Sequence, residues 1–425
     1  MPPLDESEVD RAAAGEPSWL AERRRAGFTQ FQKLEMPTGR DDLWRHVDLD
    51  FDLRDLATPG TPGAVPPWDG LLGDMAPVGS VVVVDGHVVD VVGGADAMLT
   101  SVARAVDEAP AVAEDRLATG VAPDLDLFAA AHRAFSVDGA FLHVPAGAVP
   151  AGPFMVDLAA ATAGTVSFPH VTVDAGASSQ VSVVVRCRSP RDTALVVVPQ
   201  IEVFAGDNAV VRVTVVQDWG RATTAIAHQR MVAGRDATIV FAEAGLGGKL
   251  SRLHLLADLV GRGSTAQIIG AYFGEEHQVL DYRYFVRHAG PNTSSDMFLK
   301  GAVEDQALSV FTGLIRIEEE AQKTNAFQTN RNLILSDGAA AQSVPNLEIL
   351  ANDVRCGHGS TVGPLDEEQR YYLMSRGLPR DRADRLQVRG FFNQALARFP
   401  EPALVAPLRD AITAKFAMAQ EAGRV

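Results

Sequence analysis

One short segment of the sequence combines residue types that can do chemistry: a thiol, an imidazole and three glycines within Asn352-Asp-Val-Arg-Cys-Gly-His-Gly-Ser-Thr-Val-Gly363. Cys356 and His358 lie two positions apart, so their side chains share a face if the segment is an extended strand. A thiolate with an imidazole suits a soft or borderline metal such as iron or zinc. The same pair fits a cysteine nucleophile with a histidine base, which also needs an oxyanion hole and an orienting third group. Spacing alone favours the plainest interpretation, a buried thiol beside a surface-loop histidine, and leaves the other two open.

Other candidate groups give weaker signals. His254, His277 and His288 fall among short β-branched runs, where isolated core or surface histidines are the favoured interpretation. The separation of eleven residues between His277 and His288 predicts positions on neighbouring strands. The run Gly245-Leu-Gly-Gly-Lys249 resembles a phosphate-binding loop, but Leu250 stands where that loop requires Ser or Thr. We therefore expect no nucleotide site in this chain.

Composition narrows the classes of partner. The 425-residue chain has a formal net charge of -16, which argues against nucleic acid or an anionic membrane as a partner. Its two cysteines, Cys187 and Cys356, are too few for the four thiolates of an ordinary iron–sulfur site. The sequence shows no basic-then-apolar leader, no apolar stretch of membrane-spanning length and no disulfide framework, which together predict a cytoplasmic protein.

Three zones of the sequence set the elements that must position these groups. Residues 1–77 predict an N-terminal helical region and a linker, and residues 78–350 predict a β-helix core. Residues 351–425 contain the Cys-Gly-His segment and a C-terminal helical region. The predicted fold is therefore mainly β, with a helical region at each end.

The β-helix is predicted from strand patterns and turn spacing. β-Branched runs such as Val210–Val216 are typical of strands. Glycine-containing turns at Gly206, Gly234, Gly263 and Gly290 recur every 27 to 29 residues, as expected of stacked solenoid coils. A large antiparallel sandwich is the alternative, because its turn signals also recur.

The pattern of the C-terminal zone predicts amphipathic helices. Asp366 and Gln369 form the polar pair of a capping box at the start of one helix. The next helix is expected to bury Leu386, Phe392 and Leu396. Because these helices follow a β domain, we expect one helical face to dock on that domain and another to dock on a partner.

A series of motifs in the last third of the chain is similar to the SufB/SufD family. The motifs occur in the family's order and spacing: Phe311-Thr-Gly-Leu-Ile, Ala321-Gln-Lys-Thr-Asn-Ala326, Gln328-Thr-Asn-Arg-Asn-Leu333, Pro345-Asn-Leu-Glu-Ile349, Asp353-Val-Arg-Cys-Gly-His-Gly359 and Tyr372-Leu-Met-Ser-Arg-Gly377. Asp42-Leu-Trp-Arg45 resembles the aromatic–arginine signature near the N-terminus of that family. Within the family the chain resembles the SufD members, because it is shorter than SufB chains and lacks their extra cysteines.

The resemblance implies a fold, partners and site residues. It implies a right-handed parallel β-helix flanked by helical regions, in a complex of one SufB, one SufD and two copies of the ABC-type ATPase SufC. SufB would bind through the late β-helix and SufC through the C-terminal helices, and SufC rather than this chain would bind ATP. The cargo would be a transient iron–sulfur cluster shared with SufB. His358 is the favoured ligand, and Cys356 is a second candidate.

The resemblance implies a scaffold without catalytic residues, and two rivals stay open. A β-helix polysaccharide lyase or hydrolase would need paired carboxylates or a basic residue on one open face. A SufB-like scaffold that acts without a SufD partner is the other. The sequence also leaves open whether the isolated chain forms a homodimer.

Overall fold

The computed structural model describes residues 3–65, 71–72 and 74–421. Pro66 and Pro67, which belong to the predicted linker, lie outside the described residues. The helices are α1 (Glu6–Ala13), α2 (Ser18–Lys33), α3 (Val102–Glu108), α4 (Pro110–Arg116), α5 (Leu127–Phe135), α6 (Glu367–Ser375), α7 (Arg380–Leu396) and α8 (Pro402–Glu421). The strands are β1 (Gly79–Val84), β2 (His87–Val92), β3 (Met98–Ser101), β4 (Gly139–Val144), β5 (Phe154–Ala159), β6 (Val166–Ser167), β7 (His170–Ala175), β8 (Gln180–Arg188), β9 (Leu195–Val197), β10 (Gln200–Ala205), β11 (Val210–Asp218), β12 (Thr223–Ala233), β13 (Thr238–Gly245), β14 (Leu250–Leu259), β15 (Thr265–Gly274), β16 (Val279–His288), β17 (Ser294–Val303), β18 (Leu308–Ile317), β19 (Thr324–Ile334), β20 (Ala340–Ile349) and β21 (Val354–Gly363).

The strands form two sheets that wind into a parallel β-solenoid. A ten-stranded sheet has the order β2-β1-β5-β8-β11-β13-β15-β17-β19-β21. An eleven-stranded sheet has the order β20-β18-β16-β14-β12-β10-β7-β4-β3, with β6 and β9 paired beside that path. From β5 onward the chain passes mainly from one sheet to the other at each new strand, and each strand pairs in parallel with a strand of the neighbouring coil in its own sheet. This arrangement confirms the predicted β-helix and excludes the antiparallel sandwich.

Backbone conformation at the turns explains the regular coil length. One column of turns places a residue with positive φ at nearly the same point of successive coils: Ser178, Asn208, Asp236, Gly263, Asn292 and Lys323. Asn, Asp and Gly tolerate this left-handed conformation better than other residues. The turn chemistry therefore fixes where each coil changes direction.

A second column of turn residues consists of glycines. Gly234, Gly261 and Gly290 stack on successive coils, and a Cβ on Gly261 would lie 2.1 Å from the carbonyl carbon of Gly234. The equivalent of Gly234 in the next coil is therefore Gly261, whereas the sequence count used Gly263. Gly263 instead occupies the positive-φ column.

Helices cover the outer faces of both sheets. The N-terminal region and α5 pack Phe31, Trp44 and Phe128 against the eleven-stranded sheet. Helices α7 and α8 pack apolar side chains such as Phe392 and Leu404 against the outer face of the ten-stranded sheet. Each fully buried side chain of this size contributes about 1.5 to 3 kcal/mol, so the helices are integral to the folded unit.

The prediction for α7 is correct at two positions and wrong at a third. Phe392 and Leu396 are buried, but Leu386 is 49% exposed. Helix α6 buries no residue, and an ion pair from Arg370 Nε to Asp384 Oδ1 at 2.6 Å holds it against α7. Helical periodicity marks an apolar face without showing whether the core or solvent lies opposite it.

The two ends of the solenoid differ. At the first end, antiparallel pairing of β1 with β2 and of β3 with β4 closes the parallel stack. At the last end, β20 and β21 each pair on one side only among the described residues, with β18 and β19 respectively. Unpaired strand edges are templates for another chain, so the last coil is an open end.

Candidate functional site

Cys356 and His358 lie on β21, at the open end of the solenoid. This strand falls within residues 351–425, the zone to which the sequence analysis assigns the Cys-Gly-His segment. In the register with β19, Cys356 pairs with Ala326 and His358 pairs with Gln328. Their side chains share a face because strand side chains alternate. Cys356 packs against the interior apolar cluster, together with Val354 from the same face. The face that carries both candidate ligands therefore continues the solenoid interior out to its open end.

The two side chains differ in environment. Cys356 is half-buried, and burial raises the pKa of its thiol. A thiol of this kind stays protonated at neutral pH until a metal displaces the proton. His358 is exposed, and its imidazole has no hydrogen-bond or ion-pair partner among the residues that the structure describes. The imidazole is therefore the more accessible of the two ligands.

Side-chain hydrogen bonds hold the last coil in shape around this pair. Gln328 Nε2 donates to the backbone carbonyl of Asn346 at 3.0 Å, which joins β19 to β20. Ser360 Oγ donates to Ser343 Oγ at 2.8 Å, which joins β21 to β20. Beside His358, a Cβ on Gly359 would meet no described atom within 4 Å. The preceding strands therefore support the site on one side, and the side beyond β21 is open.

The ligand count limits what this chain can bind alone. Within residues 3–65, 71–72 and 74–421, no group of three or more His, Cys, Asp or Glu side chains is placed to hold a metal ion. Cys356 and His358 supply at most two ligands. A tetrahedral iron site needs further ligands from outside the described chain.

Two further candidate histidines, His277 and His288, have different environments. His288 is buried, its Nδ1 lies 2.8 Å from Thr293 Oγ1, and its Nε2 lies 2.8 Å from Ser295 Oγ. Burial lowers the pKa of His288 to about 4. His277 is an exposed residue just before β16, and His288 ends that same strand. The prediction that they occupy neighbouring strands is wrong, while their interpretation as isolated histidines is confirmed.

The segment Asp42–Arg45 is anchored on the outer face of the eleven-stranded sheet. Arg252 and Arg283 both form ion pairs with the fully buried Asp281. Arg252 Nη2 donates to the carbonyl of Leu43 at 2.7 Å, and its guanidinium lies 3.9 Å from the ring centroid of Trp44. The motif therefore fastens the N-terminal region to the solenoid.

The solenoid interior also contains polar groups that sequence reasoning missed. Cys187 and Glu243 face inward and line a small internal cavity of about 20 Å³ with Gln217. Burial raises the pKa of Glu243 to about 8, against a hydrogen bond that Tyr284 Oη donates to Glu243 Oε2 at 3.3 Å. The sequence feature that could have revealed this interior group is a carboxylate at an inward-facing position of a strand. It can be recognised only when the strand register is known.

More than half of the chain matches a known family of proteins. Residues 158–391, more than half of the chain, match the family model described as the SufBD core domain of SUF system FeS cluster assembly. The chain belongs to the SufB/SufD family. The matched region includes both candidate ligands, Cys356 and His358.

Named relatives agree with this family. The SufD protein of Bacillus subtilis is 31% identical over 66% of this chain and 65% of its own length. The SufD protein of Escherichia coli is 35% identical over 39% of each chain. An iron–sulfur cluster assembly SufBD family protein of Mycobacterium tuberculosis is 34% identical over 56% of this chain and 61% of its own. The chain thus spans less than two thirds of these SufB/SufD relatives.

The described helices were also compared with the requirements of a bilayer. None of them combines the length and apolar character needed to cross a membrane.

Proposed function

We propose that this chain is a cytoplasmic, SufD-type scaffold subunit for iron–sulfur cluster assembly. In this role it contributes His358, with Cys356 as a second candidate, to a nascent cluster held at an interface with a SufB-type subunit. The observation that carries the proposal is the pairing of an exposed imidazole with a half-buried thiol on the last strand of an open solenoid. The family match and the relatives named SufD support it.

The chemistry of the pair fits a cluster that must be released. Iron–sulfur centres accept imidazole in place of thiolate, and a neutral imidazole leaves less negative charge on the cluster. Protonation of an imidazole also removes the lone pair that binds iron, so this ligand can be released. Two ligands from one chain are too few for stable retention. A shared and transient cluster follows from that shortage.

The open end offers a surface for the SufB-type partner. Strands β20 and β21 present unpaired edges, and exposed apolar side chains surround them, including Phe327, Val344 and Leu350. An edge-to-edge or face-to-face contact there would bring a partner's thiolate close to His358. The same surface would support a homodimer of the isolated chain.

The C-terminal helices offer a second surface, which we assign to the SufC ATPase. Tyr371 is 76% exposed and Tyr372 is 57% exposed on α6, beside Met374. Exposed aromatic residues that cluster on one element are typical anchors of protein interfaces. We assign ATP binding to SufC because the P-loop-like run of this chain lacks the required Ser or Thr and has Leu250 there. The lysine of that run, Lys249, forms an ion pair with Asp50.

Co-purification with candidate subunits tests the proposal. Tagged chain, co-expressed with a SufB-type and a SufC-type protein, should yield a three-component complex that contains acid-labile sulfide and iron after anaerobic isolation. The His358→Ala complex should assemble but contain little iron or sulfide. A matched control is His277→Ala, which removes an exposed histidine from the turn before β16, two strands back from β20 in the sheet. Full cluster content in His358→Ala, or cleavage of polygalacturonate-type substrates by the pure chain, would contradict the proposal.

A further inference from the structure

A pocket of about 480 Å³ lies between the outer face of the ten-stranded sheet and helices α6 and α7. Lys300 and Arg331 form its floor from neighbouring positions on β17 and β19. Its walls include the apolar side chains of Leu333, Leu373 and Phe391. The volume is within the range of small-molecule sites, and the lining mixes apolar side chains with charged and amide groups.

The charges in this pocket are not balanced. Lys300 is only 2% exposed, and its Nζ donates to Gln394 Oε1 at 2.8 Å rather than to a carboxylate. Arg331 has no ion pair or hydrogen bond within the part of the chain that the structure describes. The carboxylate that lines the pocket, Asp366, accepts hydrogen bonds from the backbone amides of Glu368 and Gln369. The pocket is therefore cationic on a protein of net charge -16.

Two further observations point to a ligand. The side-chain amide nitrogen of Gln387, another lining residue, is buried without a hydrogen-bond partner in the described structure. An unpaired buried donor destabilises the fold, and an acceptor on a ligand would offset that cost. Burial, together with the charges of Arg331 and Arg398, lowers the pKa of Lys300 to about 8. Arg398 is itself paired with Asp296 at 3.1 Å, so it does not neutralise the pocket.

We propose that this pocket binds a small organic anion. The charged group of the ligand lies between Lys300 and Arg331 and accepts a hydrogen bond from Gln387. Its apolar body lies against Leu373 and Phe391. The site faces the outside of the solenoid, away from the interior face that carries His358, and it does not depend on the proposed cluster site.

Calorimetric titration of the isolated chain with phenyl phosphate tests this inference. Inorganic phosphate and phenol serve as matched probes for the charged and apolar halves. We expect one saturable site for phenyl phosphate, with each half-probe binding at least about tenfold more weakly. Arg331→Gln and Lys300→Met should each weaken phenyl phosphate binding about tenfold, because each removes a charge-assisted hydrogen bond.

The control variant is Arg262→Gln, which removes the same charge from an exposed turn outside the pocket. It should leave the affinity within about twofold of the parent chain. Absence of saturable phenyl phosphate binding would overturn the inference. Equal binding of phenyl phosphate and inorganic phosphate, or unchanged affinity in Arg331→Gln, would do so as well. Arg331 is exposed, so that variant decides the question even if Lys300→Met fails to fold.

Discussion

Cys356 and His358 share one face of β21, yet the thiol of Cys356 packs on the apolar interior while the imidazole of His358 is exposed. Because Cys356 packs on the interior, it contributes to the stability of the fold and is also a candidate ligand. Because His358 is exposed, we expect it to contribute to function and little to stability. The two side chains should therefore respond differently to substitution.

Stability measurements should separate the two residues. Cys356→Ser places a hydroxyl where a thiol packs, so the free energy of unfolding should fall by about 1 kcal/mol. His358→Ala removes an exposed side chain and should change it by no more than about 0.5 kcal/mol. Urea denaturation of the isolated chain measures both values. A larger loss for His358→Ala than for Cys356→Ser would show that the imidazole is structural.

The buried ion-pair cluster beneath the N-terminal segment makes a second prediction. Asp281→Asn leaves the buried Arg252 and Arg283 without their anionic partner, which should cost about 3 to 5 kcal/mol of unfolding free energy. Amide hydrogen exchange should also quicken in residues 42–46, which these arginines hold. The control is Asp10→Asn, whose partner Arg25 and own side chain are both exposed, and it should cost less than about 1 kcal/mol. Equal effects of the two variants would contradict the anchoring role.

The interior carboxyl of Glu243 predicts a pH dependence of stability. Burial raises its pKa from 4.5 to about 8 in the folded chain, so the folded state retains a proton that the unfolded state loses between these values. Its contribution to stability is full below pH 4.5 and is lost as pH rises to about 8. Relative to Glu243→Gln, the parent chain should lose on the order of 1 kcal/mol per pH unit across that window. Parallel stability curves from pH 5 to pH 9 would rule out a buried proton at Glu243.

The exposed residues of α6 are where we propose that a SufC-type ATPase binds. Replacing Tyr371, Tyr372 and Met374 together by Ser should weaken SufC binding by at least about tenfold, because aromatic anchors dominate such interfaces. Point variants are preferable to truncation, since α7 and α8 cover the sheet and their loss would expose its apolar face. Replacing the exposed Val89 and Val149 by Ser is the matched control. Pull-down and gel filtration give the readout, and unchanged SufC binding in the triple variant would refute the assignment.

Much of the fold was accessible from the sequence because its determinants are local. The β-branched run Val210–Val216 and the recurrent turn residues predicted strands and coils, and the structure has β11 at that position. The capping pair at Asp366 predicted the start of α6, where Asp366 Oδ1 accepts from Glu368 N at 2.9 Å. Such signals need only neighbouring residues.

What escaped prediction depends on register between coils. Lys300 and Arg331 lie 31 residues apart in sequence and meet only because β17 pairs with β19 in one register. The choice between Gly261 and Gly263 and the inward position of Glu243 have the same cause. Leu386 failed for another reason: helical spacing is identical for a face that meets the core and a face that meets a partner.

Nitrogen hyperfine spectroscopy can detect directly whether the imidazole of His358 is a ligand of the nascent cluster, as we propose. The assembled complex, with ¹⁵N-histidine in this chain alone, would be loaded with cluster, reduced and measured by pulsed electron paramagnetic resonance. We expect a coupling from directly coordinated ¹⁵N in the parent complex and in the His277→Ala control, and none in His358→Ala. A cluster signal without nitrogen coupling, or a coupling that persists in His358→Ala, would contradict it.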